Sequence, residues 1–429
     1  MKIVKITALE ILDSRGNPTV EANVFLEDGS IGTGMVPSGA STGKYEAVEL
    51  RDGDKSRFLG NGVQKAVENI EKIIAPNLIG MDANEQREID RILIQLDGTE
   101  NKEKLGANAT LAVSMAVARA EAVSQKKPLF KYLSKFNPDF SGKFIMPIPM
   151  MNIMNGGKHG NWASDIQEYM ILPVGAKSIT DAVRMCAEVY QNLKKILKKK
   201  NYSIAVGDEG GFAPSFQNNE EPFQLASEAI LASGYEFGKD FVMAIDPASS
   251  EFFEDNLYVL RKENKKLTNL EMLDFYDNLA QKYKLVSIED GFAEDDWDGF
   301  RMQLEKTEGK LQIIGDDLFV TNIKRLQRGI DEKTCNSILI KLNQIGTVSE
   351  TIDAVLLARK NNMTSVVSHR SGETEDSFIA DFVVAMGTGQ IKTGAPARSE
   401  RTAKYNQLMR IEKMLGENCE YAKWPFWKI

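Results

Sequence analysis

Six stretches in the second half of the chain share one form, a short apolar and often β-branched run that ends in an ionisable residue. They are "FVMAID" ending at Asp246, "LVSIED" with Glu289 and Asp290, "QIIGDD" with Asp316, "SILIKLNQ" with Lys341, "TSVVSHRSG" with His369 and Arg370, and "QIKTG" with Lys392. Along the numbering, Asp246, Glu289, Asp316, Lys341, His369 and Lys392 are 43, 27, 25, 28 and 23 residues apart. Each interval suits one strand and a returning helix. A (β/α)8 barrel carries the C-terminal ends of its strands to one face, so this repeat predicts that residues far apart in sequence meet there.

The first hundred residues read differently. "VKITALEILDSRGNPTVEANVFLEDGSIGTGMVPSG" has short β-favouring runs punctuated by Gly-Asn-Pro and Asp-Gly, which predicts an antiparallel meander. Asn108 is expected to cap a following helix, "ATLAVSMAVARAEAVSQ", whose small residues imply burial on most sides. Pro138, Pro147 and Pro149 then break the periodicity. The expected organisation is an N-terminal α+β capping domain over 1–138 and a C-terminal barrel domain over 139–429.

Converging acids need a reason. Bare carboxylates about 4 Å apart repel by roughly 4 kcal/mol at an effective dielectric of 20. A divalent cation held by Asp246, Glu289 and Asp316 removes that cost, and an all-oxygen ligand set favours Mg²⁺ over Zn²⁺. Taken singly, each acid is as readily a helix cap. Lys341 and Lys392 are the second anomaly, since they interrupt or end apolar runs. A lysine beside cations and away from water is expected to have a lowered pKa and to work as a base. The only two histidines, His159 and His369, lie in Gly- or Ser-bearing loops, and Arg370 with Ser371 offers the donors a phosphate prefers. The loops "PSGASTG" and "GDEGGFAP" permit close backbone approach but are not a Walker A sequence.

Other classes are disfavoured. A formal net charge of −8 in 429 residues argues weakly against a dedicated nucleic-acid binder, since neutralising phosphates needs a basic face rather than an acidic average, and direct nucleic-acid binding is not expected. The lysine-rich end of "SITDAVRMCAEVYQNLKKILKKK" reads first as a solvated helix face suited to the negative end of the helix dipole. Cys186, Cys335 and Cys419 lack metal-site or disulfide spacing, and no apolar stretch is long enough for a signal peptide or membrane span, which fits a reducing, cytoplasmic setting.

In order along nearly the whole chain, "LDSRGNPTVE", "PSGASTGKYEAVELRDGD", "MNIMNGGKHG", "DIQEYMILPVGA", "GDEGGFAP", "SIEDGFAEDDWDGF", "GDDLFVTN", "KLNQIGTVSET", "SHRSGETEDSFIADF" and "QIKTGAPARSERTAKYNQLMRIE" resemble the enolase family, in its bacterial form. The resemblance implies a cytoplasmic glycolytic enzyme that interconverts 2-phospho-D-glycerate and phosphoenolpyruvate with two Mg²⁺. It implies Lys341 as the base at C2, and Glu209 as the acid at the C3 hydroxyl, helped by Glu168. Asp246, Glu289 and Asp316 correspond to ligands of the first Mg²⁺, and Ser41 to a loop residue at the second. Arg370 and Ser371 match phosphate contacts, while His159, Gln167, His369 and Lys392 match other substrate-pocket positions. Family members form homodimers or octamers of dimers, and some have a cell-surface or secreted pool.

Three departures stand out. "GNWAS" follows His159 where many members have an Ala-Asp-Asn-Asn-like stretch, Gly291 replaces a proline common in eukaryotic members, and the chain ends "WKI" rather than in lysine. Two rival readings remain at this stage. A different lyase or racemase of the same superfamily would keep the acids without needing "SHRSG" or "GASTG". An interaction scaffold, as in an RNA-degradation complex, is supported only by the lysine helix and fits best as an added role.

Overall fold

The computed structural model describes residues 1–39 and 43–426. It opens with the expected meander: β1 (Ile3–Leu12), β2 (Pro18–Leu26) and β3 (Ile31–Met35) pair antiparallel in that order. The first turn is held by Asp13, whose Oδ1 accepts from the backbone N–H of Arg15 at 2.8 Å and of Asn17 at 2.9 Å. In the second, Gly29 adopts a φ of +86°, a conformation other residues reach only with strain.

The small-residue helix covers this sheet as Ala107–Ser124 and is buried almost all round. It lies so close that a Cβ added to Gly32 of β3 would stand 2.1 Å from the Ala116 carbonyl. Asn108 is not its cap. Gly106 holds that place, and Asn108 lies inside the helix, where its amide exchanges hydrogen bonds with the backbone N–H and C=O of Leu50. A side chain that pins a distant loop gains two partners, which a cap does not offer.

After β4 (Phe144–Met146), paired with the late strand Cys419–Tyr421, the barrel is built from β5 (Ile148–Asn155), β6 (Glu168–Leu172) and β7 (Val242–Asp246). A small antiparallel sheet interrupts it, formed by β8 (Phe253–Glu254), β9 (Leu257–Leu260) and β10 (Lys265–Leu267). The barrel resumes with β11 (Leu285–Glu289), β12 (Gln312–Gly315), β13 (Ser337–Ile340), β14 (Thr364–Ser368) and β15 (Gln390–Lys392). These eight strands close in the order β11-β12-β13-β14-β15-β5-β6-β7.

The closed barrel agrees with the repeat, with one difference. β6 runs antiparallel to both β5 and β7, while the remaining neighbours pair parallel. A strand that runs backwards brings its first residue, Glu168, to the face where the others bring their last; Glu168 stands opposite Asp246 in the register.

Strand alternation explains which residues look inward. In β7, Val242 and Ala244 join the barrel-interior cluster, Met243 and Ile245 pack toward the surrounding helices, and Asp246 is the next inward position. The same count gives Leu339 then Lys341, Ile314 then Asp316, and Gln390 then Lys392. Deeper in the barrel, Gln312 and Gln390 exchange amide hydrogen bonds at 2.9 and 3.1 Å, and Trp424 and Phe426 of the C-terminal tail pack against the interior cluster.

The N-terminal unit sits over the strand-end face. Ser14 N donates to the Glu373 carbonyl and Ser38 N to that of Gly372, both at 2.7 Å. No helix among the described residues is long and apolar enough to cross a membrane.

Candidate active site

A cleft opens at that face, lined by His159, Gln167, Glu168, Glu209, Asp246, Asp316, Lys341, His369, Arg370, Ser371 and Lys392, with Asp290, Asp317, Ala248 and Ser368. Glu289 lies directly behind, fully buried and bound to Lys392. Every expected site residue is therefore gathered in one place except Ser41, which lies outside the described residues.

Two lysines organise the acids. Lys392 Nζ is 2.9 Å from Asp246 Oδ2 and from both oxygens of Glu289, and 3.1 Å from Glu168 Oε1. Lys341 Nζ is 2.5 Å from Asp316 Oδ2. Burial opposes the charge on each lysine, but the facing carboxylates outweigh it and raise both pKa values. The expected lowering was for a lysine beside cations; here the nearest charges are carboxylates.

Lys341 is not within its strand but immediately after it, at the N-cap of the short helix Leu342–Ile345. Its placement comes from a closed ring of hydrogen bonds. Lys341 N donates to Thr321 Oγ1 at 2.9 Å, so that hydroxyl must spend its own proton elsewhere, on Gln344 Oε1 at 3.0 Å. Gln344 Nε2 then donates to Asp316 Oδ1 at 2.9 Å, and Asp316 Oδ2 returns to Lys341. Thr321 and Val320 have φ of 55° and 45°, left-handed values that are costly for β-branched residues. That strain turns the loop back so that Thr321 reaches under the lysine.

Asp290, read only as a neighbour of Glu289, anchors the same loop: its two oxygens accept from the backbone N–H of Asp316 at 2.9 Å and of Asp317 at 2.8 Å. Across the cleft, Glu209 stands between the two histidines. Its Oε1 is 3.4 Å from His159 Nδ1 and from His369 Nε2, and its Oε2 accepts from Asn152 Nδ2 at 2.9 Å. Burial works against its charge, while His369, His159 and Arg401 hold it well below the usual carboxylate range. Burial also lowers both imidazoles, His369 to about 3, which favours their neutral forms beside the Glu209 carboxylate. Arg370 donates to Glu46 Oε2 at 2.8 Å and to Asn343 Oδ1 at 3.0 Å, which turns its planar donors along the cleft wall.

A hard cation fits this donor set. Burial and mutual repulsion push Glu168, Glu289, Asp290 and Asp317 upward, the signature of carboxylates that outnumber the lysines meeting them. Glu168 Oε2 is buried with no hydrogen-bond partner among the described residues. Among the described residues, ligand-type clusters form at Asp290–Asp316–Asp317 and at His159–Glu168–Glu209, whereas Asp246 and Glu289 meet Lys392 instead. Asp290 is committed to its loop, while Asp316, Asp246 and Glu289 each spend an oxygen on a lysine ammonium.

Family models match nearly the whole length of the chain. The model described as the N-terminal domain of enolase matches residues 3–133, and that described as the enolase C-terminal TIM barrel domain matches residues 143–428.

Proposed function

Because the chain belongs to the enolase family, we propose that it catalyses the reversible dehydration of 2-phospho-D-glycerate to phosphoenolpyruvate, a carbon–oxygen lyase reaction of glycolysis and gluconeogenesis. One observation carries this reading: the Lys341 amine, the Glu209 carboxyl and the planar Arg370 guanidinium line a single buried cleft. Dehydration next to a carboxylate needs those three functions at once.

Lys341 Nζ, in its neutral form, takes the C2 proton, and the electron pair moves onto the substrate carboxylate as an enolate. Two Mg²⁺, the first on Asp246, Glu289 and Asp316 and the second with Ser41, supply positive charge for that carboxylate when bound. Lys392 adds its ammonium on the same side. With Asp316 engaged elsewhere, Lys341 loses the neighbour that holds its proton. Glu209 then delivers a proton to the C3 hydroxyl, the enolate's electron pair forms the C2=C3 double bond as the C3–O bond breaks, and water leaves. Glu168 supports Glu209, Gln167 completes the pocket, and Arg370 with Ser371 holds the phosphate. The pairing of a lysine base with Mg²⁺ is a general pattern of enolase-superfamily sites.

We further place the domain boundary at 138/139 and read the protein as a cytoplasmic homo-oligomer, in keeping with its free cysteines Cys186, Cys335 and Cys419. The test is ultraviolet absorbance with 2-phosphoglycerate, in Mg²⁺ and again with a chelator. The conjugated enol should appear only with metal. No product from folded, metal-loaded protein would keep the barrel and discard this substrate in favour of another carboxylate.

A further inference from the structure

We propose that Arg401 is a positioning residue that locks His369 as the neutral imidazole protonated on Nε2 and aims that N–H at Glu209. Arg401 belongs to the helix Ser399–Leu415 and is fully buried. One of its terminal nitrogens lies 2.5 Å from His369 Nδ1 and 2.5 Å from the Arg370 carbonyl. The other donates to the Ser371 carbonyl at 2.6 Å and to that of Asp208 at 3.0 Å.

A guanidinium has donors and no acceptor. His369 Nδ1 must therefore accept, and the ring's one proton sits on Nε2. Turning the ring over would set carbon atoms against both Arg401 and Glu209, so the orientation is fixed from two sides. Nε2 is buried and faces Glu209 Oε1 at 3.4 Å, with no closer hydrogen-bond partner among the described residues.

Two consequences follow for chemistry. His369 can donate but cannot act as a base through Nε2, and a second proton on Nδ1 would meet the Arg401 donors head-on. Arg401 also joins the backbone of His369–Ser371 to that of Asp208, the residue before Glu209, so one cation sets the spacing between the phosphate loop and the acid. The kinetic consequence rests on the role given above to Glu209; the tautomer does not.

The chain has only two histidines, so ring ¹⁵N-labelling of the full-length protein yields two spin systems, separated by His159→Asn. The expected His369 ring has a protonated Nε2 and an unprotonated Nδ1, and stays neutral well below the ordinary histidine pKa of about 6.5. Arg401→Lys keeps the charge but lacks the planar fork that serves four acceptors. In that variant, shown to be folded by near-ultraviolet circular dichroism, the ring should sample both tautomers, and kcat should fall about 10–100-fold with KM little changed. A protonated Nδ1 in the wild-type protein overturns the proposal, and that spectrum decides even if the variant does not fold. A folded Arg401→Lys protein with the wild-type tautomer and wild-type kcat also overturns it. The predicted tautomer in a protein that does not turn over 2-phosphoglycerate would support the assignment and refute the functional reading instead.

Discussion

The two ends of the barrel are built from the same strands on opposite rules. Where the strands deliver Asp246, Glu289, Asp316, Lys341 and Lys392, buried charges crowd together and two β-branched residues, Val320 and Thr321, are held in left-handed conformations. Deeper in the barrel the interior holds Ile148, Met150, Val242, Val286, Leu339 and Val366, a reciprocal pair of amides, and aromatic residues of the C-terminal tail. One step of strand alternation separates the two environments. The left-handed β-branched residues and the uncompensated charge gather at the strand-end face, and the barrel interior supplies the apolar packing beneath them.

The sharpest way to break this contrast is at the charged end. Lys341→Ala or Glu289→Gln should cost at least about 10²–10³-fold in turnover, read by the phosphoenolpyruvate assay, with the melting temperature kept or raised. The opposite outcome is expected at the packed end. Trp424→Ala should destabilise the fold by about 3–5 kcal/mol in denaturant melts while the folded fraction keeps its kcat. Trp424→Phe should cost far less, since the indole N–H finds no partner in the described structure.

A subtler substitution tests whether strain serves position. Thr321→Val removes the hydroxyl that accepts from Lys341 and orients Gln344; it should lower kcat about 10–100-fold, and Thr321→Ser should restore most of it. A folded Thr321→Val protein with wild-type kcat would show that the hydroxyl does not position the site. The smallest effect concerns the amide pair. Gln312→Leu alone strands Gln390 and should cost about 1–3 kcal/mol in urea melts. The double change with Gln390→Leu should cost less than the sum, and strict additivity would mean the pair is not a unit.

Much of the charged end was legible because strand alternation has a fixed period and the apolar runs are short. The reversal of β6 was not, since "EYMIL" reads the same in either direction and only pairing to β5 and β7 decides it. The left-handed Val320 and Thr321 carry no glycine signal, so their strain is a product of tertiary structure. The lysines' ion-pair partners were not legible either, because strand spacing does not reveal that Asp316 meets Lys341 or that Lys392 meets Asp246 and Glu289. Arg401 had a readable clue: with Lys404, Tyr405, Leu408 and Ile411 it occupies the buried stripe of its helix, where a cation demands a buried partner.

The most direct test of the central claim follows hydrogen exchange at C2 of 2-phosphoglycerate in D₂O, with Mg²⁺ present, in wild-type protein, Lys341→Ala and Glu209→Gln. If Lys341 is the base and Glu209 the acid, Glu209→Gln incorporates deuterium at C2 without forming phosphoenolpyruvate, and Lys341→Ala incorporates none. Exchange that persists in Lys341→Ala, or that disappears in a folded Glu209→Gln protein, would contradict the division of labour between the two sides of the cleft.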